Sequence, residues 1–280
     1  MARSARTARR KAMREVPRSI AGLRARLAAT PLPGAEAARA DRARRMLDAW
    51  LGTAERHGVP YRDAVRAMAT GEVARQVAGA LLAETMRDPP PIVTEAACAA
   101  GCAFCCILDG PDGGTITEAE ARALHSALAP LAGHPDGRDW HPQACPALDP
   151  ETRTCRAYDA RPLLCRSFLS RDADACRVNA EGGAAEGAGL LGAHLDYLAI
   201  HALSRETLVG LVKVSTFALR EIAAASVEGA SCDTALARAR HTPRVLDDTR
   251  RGTARAASAA SRPRRAGRDA ASGPEGENRN

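Results

Sequence analysis

Lysine is almost missing from this chain: Lys11 and Lys213 are the only two among 40 basic residues. The net charge of +7 therefore reads as a bias toward arginine and alanine, not as a surface selected to grip phosphates. Aromatic residues are scarce too, at 3%. A large sheet would normally be rich in aromatic and β-branched side chains, so the core is expected from Ala, Leu and Val on close-packed helices. No run of about 18 uncharged apolar residues occurs, which argues against a membrane span. The arginine-rich start (Arg3, Arg6, Arg9, Arg10) has the acid-poor look of a transit peptide. It lacks the apolar stretch of a secretory signal, and a basic disordered arm is the simpler expectation. The expected compartment is the cytoplasm, where reducing conditions leave cysteines as thiols or metal ligands and not as disulfides.

What is present divides the chain into five stretches. Residues 1–34 read as a basic, largely disordered arm ending in the breaker run Pro31, Leu32, Pro33, Gly34. Residues 35–88 read as a helical pair, with Ala38, Ala43, Met46, Leu47, Trp50 and Leu51 recurring at helical spacing. Pro60 interrupts them, and a second helix is expected from about Arg62 to Met86. After the stiff Pro89-Pro90-Pro91, residues 92–180 carry the cysteines. Within that stretch Thr117 and Glu120 form a capping-box pattern that predicts a helix from Glu118 to Leu128. Residues 190–226 predict a long helix, interrupted near Ser204, that packs on the cysteine region. Residues 240–280 lack periodicity and read as a disordered basic tail. The expected fold class is mainly α with a small irregular α+β cysteine-rich metal-binding module.

Eight of the nine cysteines lie between positions 98 and 176, and only Cys232 stands apart. That unevenness does not suit cysteine used as a small core hydrophobe. Cys98, Cys102, Cys105 and Cys106 spell C-x3-C-x2-C-C. Thiolates so spaced can turn toward one soft metal while backbone N–H groups point at the sulfurs. On a helix the four sulfurs would share an arc of roughly 100°, although Gly101 opposes a helix there. On an extended piece Cys105 and Cys106 would diverge and could serve two centres. Cys145, Cys155, Cys165 and Cys176 are ten, ten and eleven residues apart, so only a fold can gather them. Arg161 and Arg166 flank Cys165 and are candidates to stabilise charge on sulfur from outside the ligand set. Among imidazoles His141, four residues before Cys145, is best placed, followed by His134 and His125. His194 and His201 would share one face of the long helix, where burial is expected and not ligation.

The compound pattern carries a resemblance. Cys98-Ala-Ala-Gly-Cys102-Ala-Phe-Cys105-Cys106, then Cys145-Pro-Ala-Leu-Asp149, Cys155-Arg-Ala-Tyr158 and Arg161-Pro162-Leu-Leu-Cys165-Arg166 resemble the YkgJ-type cysteine-cluster family of zinc- or iron-chelating domains. The resemblance covers about 80 residues and implies metal binding through zinc or an iron–sulfur centre, with no settled reaction. The flagellin lysine methylases carry a similar cysteine set, which implies that such modules can sit inside enzymes.

Two other classes compete. Cys98, Cys102 and Cys105 match the C-x3-C-x2-C spacing of radical enzymes that use S-adenosylmethionine, with Phe104 at a position often aromatic there. Against that class, Cys106 follows at once and no run of alternating strands and helices comes after it. A zinc-dependent nucleic-acid-binding module is the other, but no basic helix interleaved with aromatics supports it. All-thiolate ligand sets suit zinc and iron alike, so the sequence does not choose between them.

Overall fold

The structure, a computed structural model, describes residues 16–107, 110, 112–185 and 188–260. The described residues begin with α1 (Ile20–Ala29), α2 (Ala37–Arg56), α3 (Tyr61–Thr70), α4 (Glu72–Arg87) and the single turn α5 (Pro91–Thr94). The cysteine region holds β1 (Thr115–Thr117), α6 (Glu118–Leu128), the short α7 (Gly137–Trp140), α8 (Leu163–Ser167), β2 (Phe168–Ser170) and α9 (Ala173–Ala180). Then come β3 (Ala188–Leu190), α10 (Gly192–Thr207), β4 (Thr216–Ala218), α11 (Leu219–Val227), α12 (Cys232–Ala239) and α13 (Arg244–Ala260). The fold is mainly helical, as expected, with two small antiparallel sheets, β1–β4 and β2–β3.

Helix α10 is the axis of the larger core. Nearly every one of its residues is buried, Leu195, Leu198, Ile200 and Leu203 among them. A helix buried on nearly every side, its His194, Asp196 and His201 included, must be surrounded, and α1, α2, α4 and α13 pack around it. Helix α2 offers Ala40, Ala43, Leu47, Leu51 and Ala54 on one stripe; α4 offers Val73, Ala74, Ala78 and Leu82. The small residues allow close approach of the helices, which is how a chain poor in aromatics fills its interior.

Several expectations need correction here. The arm to residue 34 contains a helix: Ser19 caps α1 by accepting the Gly22 N–H at 3.1 Å, and Ile20, Leu23 and Leu27 are buried. Arginines hide this stripe in the sequence, yet Arg24 pairs with Asp48 of α2 at 2.8 Å and Arg26 is itself buried. The tail also contains a helix, α13, held by Leu246 in the core and by Arg205–Asp247 at 2.8 Å. Residues 1–15 and 261–280 of the two expected tails lie outside the described residues.

The helix expected from Arg62 to Met86 is two helices, α3 and α4, parted at Gly71 with φ +80°. A Cβ there would sit 2.3 Å from Thr117 Cγ2, so only glycine lets the helical bundle dock on the start of α6. The long helix expected over 190–226 ends at Thr207 and resumes only as α11. Between them β4 leaves the helical path to pair with β1, placing Ile116 opposite Phe217, both fully buried. The capping box formed as expected: the Thr117 hydroxyl accepts from Glu120 N, and Glu120 returns a bond to Thr117 N, so α6 spans Glu118–Leu128.

Phe217 and Ile116 belong to a second core with Leu124, Leu128, Ile222, Leu236 and, at its edge, Cys145. A third patch, of only Ala103, Ala144 and Leu148, lies under Cys106, Cys155 and Trp140. The second core is shared: Ile116, Leu124, Leu128, Ala147 and Ala157 of the cysteine region pack there with residues of β4, α11 and α12, while the turns that carry Cys106 and Cys155 sit on the small third patch.

Candidate metal centre

The segment from Cys98 to Cys106 is neither of the two conformations weighed from spacing. It is irregular to Ala103, turns at Gly101 with φ +79°, and closes as one 3-10 turn over Phe104–Cys106. Within this turn the Cys106 thiol reaches back to Cys105, so the two sulfurs stay in hydrogen-bond contact.

Cys145 meets this turn through the backbone: its N–H donates to the Cys106 carbonyl at 2.8 Å, beside an antiparallel bridge between Ile107 and Ala144. The chain then makes a tight hairpin that returns Cys155 to the same place. Asp149 organises it, its Oδ1 accepting Glu151 N at 3.2 Å, Thr152 N at 2.8 Å and the Thr152 hydroxyl at 2.9 Å. Those bonds hold the carboxyl below its ordinary range. Arg153 takes a left-handed φ of +55°, and a bridge pairs Leu148 with Cys155. Gly137 completes the packing, since a Cβ there would lie 2.3 Å from the Cys145 carbonyl oxygen.

Cys165 arrives on α8, whose first N–H, that of Leu163, donates to Glu120 Oε1 at 2.8 Å. Glu120 Oε2 accepts from Tyr197 of α10 in a short bond, so one buried carboxylate joins α6, α8 and α10. Cys106, Cys155 and Cys165 all pack against the second core next to buried Cys145.

The remaining thiols stand around β2 and α9. Ala97 N donates to the Ser170 carbonyl at 2.8 Å, and the Cys98 thiol donates weakly to the same oxygen at 3.8 Å. Asp172 caps α9, accepting from Asp174 N and Ala175 N, and so fixes Cys176, whose thiol is hydrogen-bonded to the Ser170 side chain. Cys98 and Cys105 are exposed; Cys102 and Cys176 are half-buried.

Charge distinguishes the thiols. Cys105 is lowered to about 7, chiefly because it accepts the Cys106 thiol proton, with help from the Arg161 guanidinium. Its partner Cys106 is raised correspondingly, by that bond and by burial. Burial pushes Cys145 up to about 12, and raises Cys155 and Cys165 as well. Arg161 lies over the Tyr158 ring at 3.6 Å and faces both Cys105 and Cys155, whereas Arg166 is exposed.

The histidines stand elsewhere. His141 Nδ1 accepts Gln143 N at 3.1 Å in a local turn, His134 is exposed, and His125 Nε2 bonds the Ala230 carbonyl at 2.9 Å. His194 and His201 are buried on α10. Cys232 opens α12, within 3.7 Å of Arg122 Nη1, and borders the second core. Among the described residues, no three Cys, His, Asp or Glu side chains already stand close enough to hold one ion. A centre would need the thiols to rotate from the positions they take here.

Residues 97–182 match the CxxCxxCC family model. That family is described as a "Putative zinc- or iron-chelating domain", and the match encloses all eight clustered cysteines. No curated protein and no solved structure matches the chain. The donor chemistry of the CxxCxxCC domain fits such a metal: its thiols are free, and burial leaves Cys145, Cys155 and Cys165 short of charge compensation as thiolates. A soft cation supplies that compensation. Sequence reasoning missed Glu120 and Ser170 as positioning residues because their partners are remote in the chain. Asp149 could have been found, since Asp-Pro followed by Thr152 is an Asx-turn signal.

Proposed function

We propose that this chain binds metal through Cys98, Cys102, Cys105, Cys106, Cys145, Cys155, Cys165 and Cys176, as zinc or as an iron–sulfur centre. The domain over 92–180 is the chelating unit, and the helices before and after it form the frame that supports it. The observation that supports this reading is the gathering of separate turns: the 3-10 turn, the Asp149 hairpin and α8 bring Cys106, Cys145, Cys155 and Cys165 to the second core, which Cys232 also borders. Arg161 is the residue outside the ligand set that stabilises negative sulfur there. A role for Arg166 rests on its place beside Cys165 alone. The nine free cysteines suit a reducing cytoplasm.

Anaerobic purification with elemental analysis and a visible spectrum tests the proposal. Zinc without colour, or iron with acid-labile sulfide and a brown absorption, supports it. A protein carrying neither, and unable to take up either under reducing conditions, contradicts it.

A second reading, an iron–sulfur enzyme, draws on one feature. A cleft of about 280 Å³ is lined by Asp112, Gly114, Thr115, Leu164, His194 and Thr249, and Leu164 is the neighbour of Cys165. Burial lowers His194 to about 4, so its imidazole is neutral at pH 7 and can face a small polar substrate. Among the described residues the strands form only two pairs, which gives no support to the partial barrel of a radical S-adenosylmethionine enzyme.

A further inference from the structure

We propose that the cleft beside α8 binds a small organic ammonium compound, its N–H donors received by Asp112, Thr253 and His194 and its carbon chain lying on Leu164. The proposal goes beyond the second reading above by naming the ligand's chemistry, and it needs no metal on the cysteines.

Four parts of the fold enclose the cleft of about 280 Å³. They are the turn before β1 with Asp112 and Gly114, α8 with Leu164, the first turn of α10 with His194, and α13 with Thr249 and Thr253. Gly114 is what keeps one side open. It has φ +128°, and a Cβ there would sit 2.3 Å from Leu164 Cδ2, so any larger residue would push that side chain aside.

One polar group in this wall is unspent. His194 is 1% exposed, and its Nδ1 has no hydrogen-bond partner among the described residues. An unpaired buried nitrogen costs about 1–3 kcal/mol, which favours a partner brought from outside the chain. The ring is held ready for one: it stacks on Tyr197 with 5.7 Å between centroids, and Tyr197 is fixed by its bond to Glu120. As a neutral imidazole at pH 7 it offers one acceptor nitrogen.

The other side chains are chiefly acceptors. Thr253 spends its hydroxyl proton on the Thr249 carbonyl at 2.9 Å and keeps its oxygen lone pairs. Thr115 and Thr249 share one hydroxyl bond at 2.9 Å, which uses one of their two protons. Asp112 is half-exposed, with His241 Nε2 at 3.4 Å. Burial holds His241 below its ordinary range, so it is neutral at pH 7 and leaves the carboxylate to a ligand. No lysine or arginine lines the cleft among the described residues, and Arg220 turns Nη2 to the Gly110 carbonyl at 3.4 Å. A wall that accepts more bonds than it donates, and that holds a carboxylate, selects a donor-rich cation. An anion there would meet Asp112 with no opposite charge to offset it.

Titration of the full-length protein, labelled with nitrogen-15 at histidine, with n-butylammonium chloride tests the proposal. n-Butanol and sodium butyrate serve as neutral and anionic probes of the same length, at constant ionic strength. The His194 ring signals, assigned through their contacts to the Tyr197 ring, should shift with n-butylammonium, less with butanol and not with butyrate. Asp112→Asn should weaken n-butylammonium binding on the order of tenfold, the loss of one charge-assisted bond. Thr253→Val should weaken it by a smaller factor. Helical circular dichroism checks that each variant is folded, and the comparison of three probes on the wild-type chain decides the matter where a variant is not. No shift with n-butylammonium, a shift with butyrate as large, or a folded Asp112→Asn protein that binds as well as wild type overturns the proposal. Elemental analysis reads the cysteines separately, so failure here and failure of the metal reading are distinct results.

Discussion

The bundle around α10 and the cysteine region hold themselves together in different ways. In the bundle, side chains such as Leu23, Leu47, Leu51, Met68, Leu198 and Leu203 are wholly removed from water, and each contributes on the order of 1.5–3 kcal/mol. In the cysteine region the large buried side chains Ile116, Leu124 and Leu128 belong to a core shared with β4, α11 and α12, and the turns that carry Cys106 and Cys155 rest only on Ala103, Ala144 and Leu148. The turns take their shape from point interactions: the Cys145–Cys106 backbone bond, the Asp149 turn, the Glu120 link and the Ser170 junction. A region built in this way depends on each bond, and on the metal that its sulfurs would share.

The largest effect expected from breaking this comparison is on the bundle. A protein cut to residues 35–240 loses α1 and α13, and with them Ile20, Leu23, Leu27 and Leu246. The loss is expected to exceed about 5 kcal/mol, comparable to the whole stability of a domain, in chemical denaturation. An unchanged midpoint would mean that the two helices are ornaments on a core complete without them.

Acid separates the regions next. Burial lowers both His194 and His201 from 6.5 to about 4, so the folded bundle binds fewer protons than the unfolded chain between those values. Stability is therefore present above pH 6.5 and falls toward pH 4, by at most about 3 kcal/mol for each histidine. His201→Gln should flatten part of that slope in a pH series of denaturation curves. An identical slope would remove the histidine from the account.

A smaller and more local effect is expected in the domain. Asp149→Ala removes the acceptor of three bonds and should cost about 1–2 kcal/mol, confined to the hairpin. Hydrogen exchange should speed up at Glu151 and Thr152 and metal affinity should fall, while the bundle keeps its protection. Spread of the effect to α10 would show that the two regions are not separable. The smallest effect belongs to Cys232→Ser, expected within about 0.5 kcal/mol of wild type and without change in metal content. Loss of metal from that variant would place Cys232 among the ligands.

The same contrast explains what the sequence made legible. The α2 stripe, the capping box of α6 and the crowding of cysteines all express themselves within one turn or one motif, and each was readable. Helix α1 was hidden because its apolar residues are interleaved with arginines whose partners, such as Asp48, lie on another helix. The break at Gly71 has its cause at Thr117, and the work of Glu120 has its cause at Tyr197 and Leu163. For the candidate site, the crowding of thiols was plain, but spacing alone did not reveal the 3-10 turn of Cys105 and Cys106 or the hairpin between Cys145 and Cys155.

Hydrogen exchange on the metal-loaded protein, before and after chelation under reducing conditions, tests the central claim most directly. The account predicts that stripping the metal opens amides around Cys145 to Cys165 while α2, α4 and α10 keep their protection and helical circular dichroism persists. Native protection around Cys145 to Cys165 in the stripped protein would contradict it, because these turns would then hold their shape without metal.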